Sequence, residues 1–223
     1  MLLSDRLKEF YFNLDPVLSL PAGIEVMNPY SDSYVRVICS AFFDKYYSDN
    51  LKRILLLGIN PGRFGAGVTG ITFTDPIRLE KDCDIQNNYR KKLEISSVFI
   101  YEVIRSYGGP VRFYSNFILS AISPLGFLKK GKNVNYYDTR ELLFKLKPFI
   151  VSTLKKQTAI AGTSERVICF GEGRNYWYLN KLNKELGLFG EIISLPHPRW
   201  IMQYRFRNKR DYVKEYIRKL EGM

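Results

Sequence analysis

Hydrophobic and polar positions along the chain form short, almost fully apolar runs that alternate with segments of helical spacing. The apolar runs predict buried strands. They cover 53–58, 111–127 with a stop at Pro124, 166–171 and 191–198. Most of these runs end at a glycine or a proline, as strands commonly do before a loop.

The segments between the strands carry apolar residues at intervals of three and four, which predicts amphipathic helices. In "SDSYVRVICSAFFDKYYSDN" these positions follow a Ser/Asp cap. Asp138 and Glu141 have the spacing of a capping box, and Pro148 predicts a kink or an end of the helix that they begin. Other helices are predicted over 92–107, over 174–186 and from about Asn208.

This alternation favours an α/β fold in which a central, mostly parallel four-stranded sheet lies between two layers of helices. No internal repeat or linker divides 1–223, so we expect a single domain. In such sheets the binding crevice lies at the carboxyl ends of the strands. A glycine-rich segment follows the strand 53–58, and His197 follows the last strand, so both are predicted to face one crevice.

The glycine-rich segment "LLLGINPGRFGAGVTGITF" (55–73) has five glycines between Gly58 and Gly70. Part of it matches a dinucleotide-binding pattern, but residues 60–64 separate that part from the strand, and the "ITFTDP" that follows is a poor helix former. A Walker pattern is excluded because no Gly-Lys-Ser/Thr follows. A plain turn would account for one or two glycines. The remaining interpretation is one wall of a slot for a flat, uncharged ring, with Phe73 over its face.

Asn60 lies at the start of this segment, where Pro61 restricts its backbone. Its side chain would direct an amide oxygen into the slot. An amide is not a strong base, but it can hold a water molecule by hydrogen bonds.

The charge balance points to an anionic partner. The 223 residues include 34 Lys and Arg against 22 Asp and Glu, a net charge of +12. Eight basic residues lie within 199–219, and Lys129, Lys130 and Lys132 form a second cluster. Such a surplus favours nucleic acid, although solubility or a solvated helix face would also account for part of it.

Cysteine and histidine usage excludes several chemistries. The three cysteines lie far apart, and the chain has one histidine. These numbers fit neither a disulfide framework nor a common zinc site, so we expect a reduced protein with no metal and no cofactor. No apolar stretch has the length of a signal peptide or a membrane span. We therefore expect a cytoplasmic monomer that has no membrane partner.

Two motifs carry a resemblance to a known family. "GINPGRFGAGVTGITF" (58–73) resembles the first motif of the uracil-DNA glycosylase superfamily. It is most similar to the single-strand-selective monofunctional family, whose pattern is Gly-Met-Asn-Pro-Gly-Pro-Phe-Gly followed by Thr-Gly and a Phe. "LPHPRW" (195–200) resembles the second motif, a His-Pro-Ser-Pro-Arg loop near the C-terminus. The resemblance extends from residue 53 to the end of the chain.

The resemblance implies roles for particular residues. Asn60 would position the water that attacks the sugar C1′, and His197 would face the uracil O2 and stabilise the anion that forms there. A fixed donor of this kind contributes about 10²–10³-fold in rate. Phe73 would stack on the extruded base. The other implied base-binding residues are Gly58, Ile59, Gly62, Phe64, Gly65, Ser120 and Ser123. The resemblance and the distribution of basic residues together give the candidate DNA-binding residues. Arg199 and Trp200 come from the second motif, Arg63 from the glycine-rich segment, and Arg205, Arg207, Lys129 and Lys130 from the two basic clusters.

The sequence departs from the family pattern at three places. Arg63 stands where the family has a proline and could reach a DNA phosphate. The family Asn that reads the uracil edge falls on Ala121, so Asn116, Ser120, Ser123 or the backbone would have to replace it. The second motif lacks its Ser-Pro, which leaves Arg199, favoured by the alignment, or Trp200 as the wedge that fills the gap left by the base.

These implications predict a monofunctional glycosylase that flips uracil out of DNA and releases it by hydrolysis in base excision repair. A looser base edge would also admit xanthine or hypoxanthine. Two alternatives remain at this stage. One is a non-catalytic nucleic-acid-binding module with the same fold, and the other is a hydrolase of free nucleosides or nucleotides.

Overall fold

The structure is a computed structural model that describes residues 1–14 and 19–223. Two sheets are present in these residues. The strands are β1 (Ile24–Met27), β2 (Ile54–Gly58), β3 (Phe117–Ala121), β4 (Gly126–Lys129), β5 (Lys132–Val134), β6 (Arg166–Phe170) and β7 (Glu191–Leu195).

The central sheet has four parallel strands in the order β3-β2-β6-β7. Because all four run in the same direction, the segments that follow β2 and β7 leave the sheet at the same edge. The strands β2, β3 and β6 are buried along almost their whole length, as their continuous apolar runs predict. The predicted three-layer α/β/α fold with a four-stranded parallel sheet is confirmed.

Helices cover the sheet and join its strands. The α-helices of the described residues are α1 (Leu3–Phe12), α2 (Ser33–Tyr46), α3 (Ala66–Thr69), α4 (Pro76–Lys81), α5 (Ile95–Ser106), α6 (Gly109–Tyr114), α7 (Arg140–Ala161), α8 (Arg174–Leu186), α9 (Pro198–Tyr204) and α10 (Lys209–Glu221). The helix α7 packs on β2 and α1, whereas α5 contacts α9 and α10. One cluster of buried side chains extends from Leu3 to Leu220. No helix in the described part of the chain is long and apolar enough to cross a membrane.

A second, smaller sheet was not predicted from the sequence. It is antiparallel, has the order β1-β4-β5, and its hairpin turns at Lys130 and Gly131, which have φ of 50° and 68°. This sheet lies against the glycine-rich segment, because the Arg63 guanidinium donates to the Gly131 carbonyl and the Arg63 N–H donates to Asn133 Oδ1 at 3.2 Å. It therefore supports the segment that carries Asn60.

Three predicted elements need correction. The first part of the predicted strand 111–127 is the helix α6, because Gly108 has a φ of 111° and Pro110 favours the first turn of a helix. The helix α7 begins after Thr139 rather than Asp138, since the Thr139 side chain accepts from the Leu142 N–H at 3.2 Å. It also continues through Pro148. The carbonyl that loses its partner there belongs to Phe144, which is exposed, so water can reach it.

The third correction concerns 199–207, the residues between the strand predicted over 191–198 and the helix predicted from about Asn208, which would form a loop if neither element extended into them. The helix α9 begins at Pro198, directly after His197, and a 3₁₀ turn at Phe206–Asn208 leads into α10. Proline at the first helical position fits this start, because its missing N–H has no partner in a helix in any case. The second motif is therefore a strand end followed at once by a short helix.

Candidate active site

A cleft of about 610 Å³ opens at the carboxyl edge of the central sheet. One wall is the glycine loop (residues 58–73), and the other is the histidine segment (residues 196–208). The two candidate catalytic residues, Asn60 and His197, both line this cleft. The rings of Phe73 and His197 lie 6.0 Å apart, centroid to centroid, so the two walls meet. The prediction that the two segments face one crevice is confirmed.

The Asn60 amide is fixed at both ends by the backbone at the end of β5 and just after it. Its Oδ1 accepts from the Tyr136 N–H at 3.1 Å, and its Nδ2 donates to the Val134 carbonyl at 3.3 Å. A weaker contact joins Nδ2 to the Pro61 carbonyl at 3.4 Å. A carbonyl oxygen has two lone pairs, so the Asn60 Oδ1 keeps one acceptor site for a water molecule.

A buried network holds this backbone in turn. The Tyr136 hydroxyl donates to Asn175 Oδ1 at 2.8 Å, and Asn175 Nδ2 donates to the Phe170 carbonyl at 3.0 Å. Tyr136 and Asn175 are both buried, so each bond is shielded from competing water. The orientation of the Asn60 amide is thus connected to the end of β6.

His197 is the N-cap of α9, and its ring orientation follows from that position. The Arg199 N–H donates to His197 Nδ1 at 3.1 Å. In the neutral ring the proton therefore sits on Nε2, which makes Nε2 a donor. Burial, together with the nearby Arg199 charge, lowers the pKa of His197 to about 4. The ring is neutral at physiological pH and still offers one N–H.

The chain behind His197 is anchored as well. The Tyr216 hydroxyl of α10 donates to the Pro196 carbonyl, and the Tyr216 ring stacks on Phe170 with the centroids 5.7 Å apart. Tyr216 is buried. The start of the histidine segment is consequently held by the same region of β6 that holds Asn175.

Phe73 is a bulky residue with a φ of 55°, a backbone conformation that such residues rarely adopt. Its ring packs edge-on against Phe170 at 5.4 Å and is almost fully buried. A Cβ added at Gly58 would lie 2.9 Å from the Phe73 ring. Strain of this kind often occurs at functional sites, and Gly58 provides the space that this ring position requires.

The other glycines of the loop do not all serve the cleft. A Cβ at Gly65 would lie 2.9 Å from the Glu94 carboxylate, so this glycine makes room for a side chain of the protein itself. Gly65 is not among the residues that line the cleft, whereas Gly58 and Gly62 are. At Gly62 a Cβ would meet Asn133 at an ordinary 3.6 Å. The glycines thus admit neighbouring side chains as much as they bring the backbone near a ligand.

Three candidate base readers, Ser120, Ser123 and Asn116, are not among the residues that line the cleft. Ser120 is buried, and its hydroxyl is bonded to Gln157 Oε1 and Tyr11. The hydroxyl of Ser123 donates to the Leu125 carbonyl at 2.9 Å. Asn116 precedes β3 at the opposite edge of the sheet and bonds to the Arg112 carbonyl. Ala121, on the other face of β3 from Ser120, does line the cleft, as strand alternation requires.

The remaining predicted residues fall into two groups. Those that line the cleft are Ile59, Phe64, Arg63, Arg199 and Trp200. The Arg63 guanidinium lies 4.5 Å from the Phe64 ring centroid. The residues outside its lining are Lys129 and Lys130, in the β4–β5 hairpin, and Arg205 and Arg207, which border an adjacent groove. Both groups lie on the elements that flank the cleft.

Several polar residues that line the cleft carry no sequence motif, and Glu94 and Asn133 are among them. Burial raises the pKa of Glu94, and the nearby Asp75 raises it further. The Asn133 side chain has its Oδ1 bonded to the Arg63 N–H, which fixes the amide and leaves its NH₂ group available. A carboxyl near a glycine turn and an asparagine in a charged hairpin carry no motif. Their positions depend on contacts between distant segments.

The cleft thus combines the strained Phe73 ring, the neutral N–H donor of His197 and the oriented amide of Asn60. This combination suits an enzyme that acts on a nucleobase. The model of the uracil DNA glycosylase superfamily matches residues 45–221. The chain belongs to this superfamily. It is similar to Pedobacter heparinus SMUG2, whose wild-type crystal structure has 41% sequence identity, a TM-score of 0.97 and coverage of 100% of this chain and 98% of that chain. None of the curated proteins matches the chain.

These findings confirm the resemblance to the single-strand-selective monofunctional family. They also make the protein a hydrolase of the uracil-DNA glycosylase type, with DNA as its partner and DNA repair as its process. In the described residues no group of three or more His, Cys, Asp or Glu side chains is placed to hold a metal ion.

Proposed function

We propose that the protein flips uracil out of DNA and hydrolyses its N-glycosidic bond without cleaving the strand, as the first step of base excision repair. The observation that carries this proposal is the cleft that Asn60 and His197 share, with the Phe73 ring beside His197. Extrusion of the nucleotide costs a few kcal/mol, which contacts to the DNA backbone offset.

In this proposal the base enters against Phe73 and the Gly58 backbone. As the glycosidic bond lengthens, negative charge moves onto the base and the sugar becomes cation-like. With uracil in the cleft, the Nε2–H of His197 faces O2 and stabilises the negative charge there, while the free acceptor site of Asn60 orients water toward C1′. Both groups are preorganised by backbone hydrogen bonds, so little reorganisation is needed during the reaction.

We propose deaminated purines, xanthine and hypoxanthine, as additional substrates. The position at which the family has a base-reading Asn is Ala121, which lines the cleft and offers no side-chain hydrogen bond. A base-reading amide rejects a wrong base because that base leaves the buried amide without a hydrogen-bond partner. A site that lacks the amide does not impose this penalty. The oriented amide of Asn133 is the candidate for the remaining polar contact.

The absence of lyase activity is part of the proposal. A lyase needs an amine that attacks C1′ and forms a covalent Schiff base. Lys132 lines the cleft, but it is exposed on the β4–β5 hairpin, next to Lys130 and Lys129. We assign this hairpin to the DNA backbone, together with Arg63, Arg199, Arg205 and Arg207.

The experiment is a panel of single-stranded and duplex oligonucleotides that each carry uracil, xanthine or hypoxanthine. Wild type and His197→Ala are compared, and products are analysed with and without alkali. We expect wild type to release bases, with strand breaks only after alkali, and no product trapped by borohydride. Breaks without alkali, or a borohydride adduct absent from Lys132→Ala, would contradict the monofunctional assignment. Salt-sensitive binding without base release would instead indicate a binding module, and turnover of nucleosides a monomer hydrolase.

We also propose that 1–223 forms one domain and acts as a monomer in the cytoplasm. Side chains of α1 and α10 belong to the same buried cluster, which supports a single folding unit. Sedimentation at micromolar concentration tests the oligomeric state.

A further inference from the structure

An open groove of about 510 Å³ lies beside the active-site cleft. Gln203 and Tyr204 border both the groove and the cleft. The groove is built by the end of α9, the 3₁₀ turn Phe206–Asn208 and Tyr212 of α10. The groove is therefore continuous with the cleft that the flipped nucleotide would enter.

Large aromatic side chains are exposed along this path. Trp200 is 38% exposed, Tyr204 66% and Phe206 59%. Exposed aromatics that follow one another along a groove are unusual on a monomeric protein and commonly mark an interaction surface. The Trp200 ring is held edge-on by Tyr212 at 6.1 Å, so it is already positioned without a partner.

The charge of the groove selects the partner. Arg205 and Arg207 border it, and none of the residues that line it is acidic. The Arg205 guanidinium lies 5.0 Å from the Trp200 ring centroid, and its Nη1 donates to the Tyr204 carbonyl at 3.1 Å. Aromatic rings interleaved with arginines form the surface that single-stranded nucleic acid requires, because rings stack on bases and cations follow the phosphates.

We propose that this groove binds the single-stranded segment adjacent to the flipped nucleotide, with Tyr204 and Phe206 stacking on its bases. The inference rests on the proposed function, since it takes the strand in the groove to be the strand whose base occupies the cleft. In a duplex the base faces are covered by their neighbours and cannot stack on the protein. The groove therefore favours single strands, or duplexes that are opened locally.

The test measures binding rather than base release. A fluorescent single-stranded 15-mer carries a tetrahydrofuran at the target position, which mimics the product and leaves no bond to cleave. Its Kd is measured by anisotropy for wild type, Tyr204→Ala and Phe206→Ala, with Tyr204→Phe and Phe206→Tyr as controls that keep the ring. We expect each alanine variant to bind about 10-fold more weakly and each control to bind like wild type, within the usual range for a base–aromatic stack.

A second tetrahydrofuran is then placed at each flanking position in turn. At one position, loss of the base should remove the effect of Tyr204→Ala, and at another position the effect of Phe206→Ala. A perfect duplex should show a smaller effect of both variants. Equal binding by wild type and the alanine variants, or the same loss at every flanking position and in duplex, would overturn the proposal.

Two further measurements test the groove independently of the active site. Base release from a uracil oligonucleotide is assayed separately. Binding through the groove without base release would contradict the proposed function and leave the groove as a binding site for single strands. Sedimentation identifies the other possible occupant, a second copy of the chain. A dimer that Phe206→Ala dissociates would overturn the assignment to nucleic acid.

Discussion

The glycine loop and the histidine segment face each other across one cleft, but the chain holds them in different ways. In the glycine loop, Asn60 is bonded at both ends and Phe73 is buried under Gly58. In the histidine segment, His197 is fixed by Arg199, whereas Tyr204 and Phe206, a few residues further on, are exposed. Base release and DNA binding therefore have separate structural requirements.

The groups assigned to the reaction are rigid before substrate arrives. A donor or an oriented water contributes to rate only if its position is already set, because reorganisation during the reaction would consume the gain. The surface assigned to DNA has no such requirement. Exposed aromatics and arginines can adjust to different sequences, because stacking and phosphate contacts tolerate small shifts. Substitutions in the two regions should therefore affect different measurable quantities.

The largest expected effect is that of His197→Ala on base release. Removal of a fixed donor should lower kcat by about 10²–10³-fold, while the Kd for an oligonucleotide with an abasic product analogue stays within a few-fold of wild type. Trp200→Ala is the matched change in the exposed part of the segment, and it should weaken binding more than it lowers kcat. Equal losses in kcat and affinity for both variants would erase the proposed separation.

The next effect tests the rigid wall with two glycines of the same loop. Gly58→Ala places a methyl group 2.9 Å from the Phe73 ring, so the ring must move. Gly62→Ala meets Asn133 at 3.6 Å, which is ordinary contact. A displaced stacking ring should lower single-turnover base release by about 10-fold or more, in line with the sensitivity of catalysis to shifts of about 1 Å. We expect Gly62→Ala to release base at nearly the wild-type rate, and a reversed order would refute the assigned role of Phe73.

The fold was predictable because its signals are local. Continuous apolar runs predict the strands of the central sheet. Because helices alternate with these strands along the chain, the strands are expected to run parallel. The small sheet was missed because its strands have three or four residues and pair across about a hundred positions, as β1 does with β4. The helix α6 was missed because Gly108 ends one helix and Pro110 begins another almost at once.

The site was predictable to the extent that motifs mark it. The residue pattern places Asn60, Phe73 and His197 at one crevice, and the resemblance supplies their roles. The cleft includes all three. Ser120 was placed in the base pocket, although strand alternation directs it away once Ala121 faces the cleft. The contacts that fix the two ends of the Asn60 amide join residues 74 and 76 positions apart in the chain, and no local pattern encodes them.

In the histidine segment, Arg199→Ala should have a smaller effect, on the affinity for DNA and its dependence on salt. Binding of wild type to duplex should weaken steeply with salt, since each phosphate contact adds about 0.9 to the slope of log K against log salt. Loss of one contact should reduce the slope by about that amount and weaken binding several-fold at low salt. Lys219→Ala, at the far end of α10, is the control with the same charge change. Identical slopes for wild type and Arg199→Ala would remove Arg199 from the interface.

The buried network behind Asn60 gives a comparable test of the rigid wall. Tyr136→Phe removes the hydroxyl that donates to Asn175 and leaves a buried acceptor without a partner, at a cost of about 1–3 kcal/mol in unfolding free energy. Tyr137→Phe removes a neighbouring hydroxyl outside this network and serves as the control. If the network positions Asn60, kcat of Tyr136→Phe falls several-fold at unchanged KM under conditions where the variant is fully folded. A stability loss with unchanged kcat would restrict the network to a structural role.

The smallest expected change is the response of His197 to pH. Its folded pKa of about 4 lies below the ordinary value of 6.5, so the folded state prefers the neutral ring. The stability that follows from this preference is complete above pH 6.5 and is lost as pH falls toward 4. Because the chain has one histidine, its imidazole signals in a nitrogen-labelled sample are unambiguous. We expect the Nε2–H tautomer with no titration between about pH 8 and 5. A titration midpoint near pH 6.5 would mean that the His197 ring is solvated and mobile. His197 would then resemble the exposed residues assigned to DNA binding and not the fixed residues assigned to base release.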